Sequence, residues 1–290
     1  MSRMGDVLAG FHAAWEFGTD SVLIRFERGI RTPRLFQALG ERRVPYEALA
    51  AVTLAPGKRG TVVLHATPRA GADPLMDAAA GQLKEACDPY RLVLPAERET
   101  LAEYYRDELR AALPADAADP ADRFLVEAPD APQRFKAYDG KAVFDGRSAS
   151  FRWFWTGAST AKWKAGDQTF HVSDLSGVEW RSPDAFDGHL RLVRRDGDQP
   201  AQADQDPAAV VFGLGYGPVH ESLPFAASVL AAIRSCGPAP AVVPAGAVAV
   251  DRRDPADIAD RIRHLGELHQ AGLVTDDEYS VKKAELLAEL

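Results

Sequence analysis

The sequence predicts an α+β protein with two tandem antiparallel β units, each closed by one C-terminal helix, and a two-helix hairpin at the end of the chain. Three observations support this fold class. The same order of apolar and turn residues occurs twice along the chain. Short alternating stretches broken by Gly, Pro and Asp dominate each half, as is typical of antiparallel strands. Residues 254–290 instead follow a helical period.

The repeat emerges when the two halves are compared at a shift of 127 residues. The first block then aligns Phe17, Ser21, Ile24, Arg25 and Phe26 with Phe144, Ser148, Phe151, Arg152 and Trp153. After a slip of one residue, 44–52 matches 170–178. Further along, the alignment pairs Val62 and Leu64 with Leu190 and Leu192, and Asp88-Pro89 with Asp206-Pro207. A duplicated domain is the economical interpretation.

Within each half we expect several short strands followed by one helix. The clearest strands are 22–26, 61–64 and 151–155, and the closing helices cover 97–113 and about 219–234. These boundaries predict a first repeat at 1–113 and a second at 135–235. A proline-containing acidic segment, 114–134, suits an exposed spacer between them. The Pro/Ala-rich segment 236–253 either stays flexible or lies partly extended against a repeat.

The C-terminal segment 254–290 carries start and stop signals for two helices. Asp254-Pro255 begins the first, Gly272 ends it, and Thr275 with Glu278 forms a capping box for the second. The apolar positions recur at helical spacing: Ile258, Ile262, Leu265, Leu268, Leu273, Tyr279, Leu286 and Leu290. Such a hairpin falls below the roughly 40 residues that a lone core usually requires. We therefore expect it to bury its apolar stripe through self-association or against a protein partner.

Two family resemblances accompany these patterns. The run from Leu265 through Gly272 and Thr275 to Lys283 closely resembles the SHOCT family, whose short C-terminal domains are thought to act in oligomerisation or partner contact. The strand-turn-strand passage 44–52 and the closing helices resemble the pleckstrin-homology-like (PH-like) architecture. Together with the tail, nearly the whole chain resembles the actinobacterial family of domain of unknown function 4429, which implies tandem PH-like repeats.

Composition excludes some functions. A formal net charge of -8 argues against nucleic-acid binding, which needs a positive field. The two cysteines, Cys87 and Cys236, lie far apart and indicate neither a metal knuckle nor a disulfide framework. Because no apolar leader or spanning run is visible, we expect a cytoplasmic protein, with peripheral membrane contact left open.

A basic stretch in the first half stands out against that negative charge. It comprises Arg25, Arg28, Arg31, Arg34, Arg42 and Arg43. We expect it near the hairpin of the first two strands, where PH domains that bind phosphoinositides place their headgroup pocket. The stretch either binds anionic lipid or an acidic partner, or forms a solvated face paired with the chain's many acids.

The second half instead concentrates aromatic residues. If 151–155 is a strand, Trp153 and Trp155 share one face with Phe151, and Trp163 follows nearby. Both faces of this strand then need cover. The aromatic residues either fill the core and the contact between repeats, or form an intermolecular contact.

Catalytic patterns are scarce. The histidines are scattered and the chain has no G-x-S-x-G or H-E-x-x-H motif, so we expect no enzyme activity and no metal or other cofactor. Glycines at 213, 215 and 217 resemble a phosphate-binding loop, but no strand-helix-strand unit surrounds them, and a plain turn is the simpler interpretation. The sequence therefore favours a non-enzymatic scaffold, and the alternative is a peripheral sensor of anionic lipid headgroups.

Overall fold

The computed structural model describes residues 6–195 and 202–236, and the structural statements below concern those residues. The first half begins with a four-stranded antiparallel meander of β1 (Asp6–Ala9), β2 (Ala13–Phe17), β3 (Ser21–Phe26) and β4 (Glu41–Pro45), with helix α1 (Arg34–Leu39) between β3 and β4. A three-stranded sheet follows, made of β5 (Leu49–Pro56), β6 (Thr61–Pro68) and β7 (Arg91–Pro95). Helix α2 (Pro74–Ala79) lies between β6 and β7, and helix α3 (Glu99–Ala112) closes the half.

The second half repeats this order. Its four-stranded sheet contains β8 (Gln133–Lys136), β9 (Gly140–Phe144), β10 (Ser148–Trp153) and β11 (Gln168–His171), with helix α4 (Thr160–Ala165) before β11. The three-stranded sheet contains β12 (Leu175–Arg181), β13 (His189–Arg194) and β14 (Ala209–Val211), and helix α5 (Val219–Cys236) follows. The mixed α+β class is thus confirmed, and none of these four described sheets closes into a barrel. The predicted hairpin 254–290 and residues 237–253 lie outside the described part.

Strand register confirms the duplication and corrects one detail of it. Ala13 lies opposite Phe26 in the first half, and Gly140 lies opposite Trp153 in the second, at the shift of 127 residues. From α1 and α4 onward the shift is 126 residues, because the loop before α4 is one residue shorter. Leu64 therefore corresponds to Leu190, and matching Leu64 to Leu192 was wrong. Even the β-bulge after the first residue of β5 recurs in β12.

The core of each half follows from strand alternation. On β3, Val22, Ile24 and Phe26 point inward while Arg25 is exposed, so one face of the meander is apolar. A single 3₁₀ turn, Tyr46–Ala48, joins the two sheets, and Ala48 and the following Leu49 are fully buried there. Complete burial of a side chain such as Leu49 is worth about 1.5–3 kcal/mol. The expected strand-turn-strand passage at 44–52 therefore anchors both sheets.

The first half contains an insertion that the second half lacks, and this insertion connects the two halves. In the three-stranded sheet of the first half, His65 and Asp88 contact each other across 23 positions of the chain. The equivalent pair in the second half, Arg191 and Asp206, is separated by only 15 positions. The longer connection holds α2, whose Leu75 belongs to the same apolar core as Phe225 and other residues of α5. Beyond α2, the Gln82 side chain donates to the Trp180 carbonyl (2.9 Å) and accepts from the Ser182 N–H (3.0 Å). The two halves consequently share one compact unit.

The connector 114–134 is more closely packed than an exposed spacer. Its Ala121 and Val126 are buried, and their N–H groups donate to the carbonyls of Ala70 (2.8 Å) and Ala72 (3.0 Å). Arg69 Nε also donates to the Asp119 carbonyl at 2.9 Å. Because these backbone groups find partners in the first half, much of the connector is part of that half's core.

Candidate interaction surface

The basic stretch lies between the third and fourth strands of the first sheet, not at its first hairpin. The expected location near strands one and two was wrong, because β1 and β2 precede the first strand recognisable from the sequence. Arg25 is the penultimate residue of β3, Arg42 and Arg43 lie on β4, and the loop 27–33 with α1 carries the remaining arginines.

Arg42 is not a surface residue. It alternates inward on β4 and its side chain is only 5% exposed, with Nη2 donating to Asp73 Oδ1 at 2.7 Å. Asp73 also accepts from the Tyr90 hydroxyl (2.7 Å) and, as the N-cap of α2, from the Leu75 N–H (2.9 Å). Burial, together with the Asp73 carboxylate, raises the pKa of Tyr90 well above its ordinary value, so this phenol stays protonated. This buried triad fixes α2 in place and removes Arg42 from any ligand-binding patch.

The other arginines divide into paired and unpaired groups. Arg25 contacts Glu16 at 2.9 Å and Glu41 at 3.6 Å, and Arg43 donates to Ser21 Oγ at 3.0 Å. Arg28, Arg31 and Arg34 are exposed and lie farther than 4.0 Å from every carboxylate of the described residues. Arg28 and Arg31 flank Ile30 in the sequence of the loop, and Ile30 is fully exposed. A shallow depression of about 410 Å³ lies beside them, lined by Arg25, Phe26, Arg28, Leu39, Gly40 and Glu41.

Of the three predicted contact aromatics, one is buried and the other two are exposed and in mutual contact. Trp153 is buried at the end of β10, and its indole N–H donates to the Gly166 carbonyl at 2.7 Å. The expected strand 151–155 was too long, because the Phe154 carbonyl accepts the N–H groups of Gly157 (3.2 Å) and Ala158 (3.0 Å) and the chain turns into a loop there. Trp155 therefore lies in the loop and is 79% exposed, and Trp163 on α4 is 49% exposed. Their rings meet edge to face at 5.1 Å and 89°.

A buried ion pair beneath this loop holds it in place. Lys162 on α4 is fully buried, donates from Nζ to Asp139 Oδ2 and lies over the Trp153 ring at 5.0 Å. The second Asp139 oxygen accepts from the Val211 N–H at 3.0 Å. Burial lowers the pKa of Lys162 and raises that of Asp139, although each partner opposes the other's shift. Nothing in the sequence around Lys162 indicates that this lysine is buried, so the sequence analysis did not identify the ion pair.

The glycine-rich segment is a turn between β14 and α5. Gly213 and Tyr216 form an isolated bridge, and Leu214 and Tyr216 are exposed. Gly217 adopts φ 64°, and a Cβ there would lie 2.1 Å from the Phe212 ring, so packing alone requires glycine. The Tyr216 ring meets the Tyr138 ring at 6.3 Å. The interpretation as a plain turn accounts for these glycines.

Titratable clusters elsewhere have structural explanations. Arg191 contacts Glu179 (2.8 Å) and Asp206 (2.9 Å), and His189 lies 3.5 Å from Glu179. In the first half, His65 and Asp88 occupy the positions equivalent to Arg191 and Asp206, and their side chains are 3.1 Å apart. Among the described residues, no three His, Cys, Asp or Glu side chains are grouped so that they could hold a metal ion. In the same part of the chain, no helix combines the length and apolar character needed to cross a bilayer.

These features define the chain as a β-rich tandem-repeat protein with two structurally equivalent halves in one unit. A family model described as Domain of unknown function (DUF4429) matches residues 15–110 and 142–230, which together cover more than half of the sequence. The chain belongs to this family, and the two matched segments coincide with the two halves. A comparison with curated proteins finds no match.

Proposed function

We propose that the chain is a non-enzymatic scaffold whose two PH-like repeats present binding surfaces and whose C-terminal hairpin mediates assembly or partner contact. The observation that carries the proposal is the Trp155–Trp163 pair. Two large aromatic side chains lie exposed and in mutual contact above a buried ion pair. Rigid, exposed aromatic side chains are typical anchors of interaction surfaces.

The PH-like assignment is supported by the order of elements. Each half contains four strands, then three strands, then a closing helix, and a buried turn joins the two sheets. The proposed SHOCT hairpin supplies the assembly element. Its apolar stripe, from Ile258 to Leu290, is too short to form a core of its own.

Light scattering on the full chain and on a chain lacking residues 251–290 tests the assembly role. We expect a multiple of the 31.4 kDa chain mass for the full chain and a monomeric mass after the deletion. The described unit keeps both of its apolar cores in the shortened chain. Monomeric masses for both chains, with no partner retained by the hairpin, would reject the assembly role.

A second candidate function is recognition of anionic lipid headgroups, favoured by the unpaired arginines of the loop 27–33 and α1. Arg28, Arg31 and Arg34 keep their charges solvent-exposed on a protein of net charge -8. Basic side chains near a negatively charged bilayer contribute about 1 kcal/mol each.

Sedimentation with vesicles containing phosphatidylglycerol tests this second function. We expect the double variant Arg28→Glu/Arg31→Glu to lose at least about tenfold in affinity. The matched control, Arg123→Glu/Arg147→Glu, makes the same change of charge at exposed positions elsewhere, and Arg147 lies at the far end of β10 from Trp155. Equal losses in both variants would reject a specific headgroup surface.

A further inference from the structure

The basic loop of the first half and the aromatic loop of the second occupy the same position in their repeats. Residues 27–33 connect β3 to α1, and residues 154–159 connect β10 to α4. Each loop carries one large apolar side chain in solvent, Ile30 in the first and Trp155 in the second. Neither side chain is buried inside its own repeat, since Ile30 is fully exposed and Trp155 is 79% exposed. The duplication thus places an apolar tip at the same site twice.

Exposed basic residues occur on both loop–helix segments. Arg28 and Arg31 flank Ile30 in the loop, Arg34 follows on α1, and exposed Lys164 follows Trp163 on α4. The acidic residue next to Arg28 in the chain, Glu27, lies beyond 4.0 Å from all three arginines. Arg152, in contrast, is already paired with Asp167 at 3.2 Å and adds no free charge. Unpaired cations therefore accompany the apolar tip of the first loop, whereas the loop 154–159 has no basic residue of its own and its cation, Lys164, lies on the following helix.

Contacts within the unit connect the two loops. Arg34, Gln37 and Ala38 of α1 line one depression of about 360 Å³ together with His220, at the start of α5. Burial lowers the pKa of His220, and the nearby Arg34 guanidinium acts in the same direction, as expected for neighbouring cations. The start of α5 follows the turn 213–217, so α1 lies beside the residues that come immediately after that turn.

The turn region also contacts the connection between β8 and β9. The Gly217 N–H donates to the Lys136 carbonyl at 2.7 Å, and the Tyr138 N–H donates to the Val211 carbonyl at 3.0 Å. On the other side of Tyr138, Gly157 packs so closely that a Cβ there would lie 2.3 Å from the Tyr138 carbonyl oxygen. A continuous series of contacts therefore runs from Arg34 across the turn to the loop of Trp155.

We propose that these elements form one membrane-facing rim, which inserts its apolar tips into the interface of an anionic bilayer while its cations contact the headgroups. We define the rim by its apolar and its basic side chains: Ile30, Trp155, Trp163, Leu214 and Tyr216, with Arg28, Arg31, Arg34 and Lys164. This inference rests on the second function proposed above and adds the aromatic half of the site.

The chemistry favours a bilayer over other occupants. Tryptophan and tyrosine prefer the boundary between hydrocarbon and headgroups, because one end of each ring system is apolar and the other polar. Ile30 and Trp155 protrude from separate loops, and neither lines the shallow depression at Arg28 or the one at His220, so both side chains stand as protrusions. Apolar burial combined with attraction to anionic lipid is how peripheral proteins bind membranes. The unpaired arginines match the negative charge of such a surface.

Fluorescence of the full chain with vesicles carrying bromine on their acyl chains tests the rim. The chain has five tryptophans, of which Trp15, Trp153 and Trp180 are buried. We expect quenching by brominated vesicles that contain phosphatidylglycerol, and loss of that quenching in Trp155→Phe/Trp163→Phe. The variant Ile30→Ser/Trp155→Ser should bind these vesicles at least about tenfold more weakly, with an unchanged thermal melting curve.

The outcomes separate the inference from the function on which it rests. Binding that depends on Arg28 and Arg31 but shows no quenching and ignores Ile30→Ser/Trp155→Ser would overturn the rim and leave headgroup recognition standing. A full chain that does not bind anionic vesicles would overturn both. If Ile30→Ser/Trp155→Ser instead changes the mass measured by light scattering while vesicle binding is unaffected, the surface contacts another copy of the chain and the rim is also overturned.

Discussion

Replacing Asp73 with asparagine should be among the most damaging isosteric changes in the first repeat. The Asp73 carboxylate is fully buried and accepts three hydrogen bonds, from Arg42, Tyr90 and Leu75. Asp73→Asn keeps an oxygen that can cap α2 but removes the negative charge. Arg42 is then left as a buried cation whose Nε and Nη1 already lack hydrogen-bond partners.

The expected loss is about 3–5 kcal/mol of unfolding free energy, the usual cost of removing one partner from a buried ion pair. Retaining the cap avoids a further loss of about 1 kcal/mol. Urea denaturation at neutral pH, followed by tryptophan fluorescence, measures the change. A control variant, Asp116→Asn, removes the partner of Arg69 at 3.1 Å, where the aspartate is 62% exposed, and should cost less than about 1 kcal/mol.

A double-mutant cycle with Arg42→Met sharpens the test. Once Asp73 is neutral, removing the buried cation should recover part of the loss, so the two changes should not be additive. Two results would refute the reasoning. The first is a loss below about 1 kcal/mol for Asp73→Asn, and the second is additive behaviour of Asp73→Asn and Arg42→Met.

Two further predictions concern the second repeat. Lys162→Met should cost about 3–5 kcal/mol by stranding Asp139 in the core, and Lys162→Met/Asp139→Asn should be more stable than Lys162→Met in urea; equal stabilities would contradict the ion-pair account. His189 and Arg191 lower the pKa of Glu179 from 4.5 to about 2, so the stability that this carboxylate contributes is present above pH 4.5 and is lost as the pH falls toward 2. Glu179→Gln should flatten the decline between pH 4.5 and 2 by less than about 1 kcal/mol, since Glu179 is half exposed, and an unchanged pH profile would count against it.

The order of elements could be predicted from the sequence because the two halves carry the same local patterns. Neighbouring residues alone determine the alternation of buried and exposed side chains along β3 and β10. They also determine the turns at Asp88 and Asp206. Both aspartates accept a backbone N–H two positions further on, which is a local interaction.

Two parts could not be predicted, one because it depends on residues far apart in the chain and the other because strand propensity hides a turn. Arg42 belonged to the basic stretch by sequence, but its partner Asp73 lies 31 positions away, on an insertion that the second repeat lacks. Trp155 looked like a strand residue because aromatic alternation continues past Trp153. The strand ends where the Phe154 carbonyl accepts the Gly157 and Ala158 N–H groups, and the strand propensity of the aromatic residues gives no sign of that turn.

The most direct test of the central claim is bromine quenching of tryptophan fluorescence in vesicles that contain phosphatidylglycerol, compared with phosphatidylcholine alone. We expect quenching only with the anionic vesicles, arising from Trp155 and Trp163 and weakened by Arg28→Glu/Arg31→Glu. Fluorescence that is unchanged by brominated anionic vesicles, at protein concentrations where the chain sediments with them, would contradict insertion of the rim.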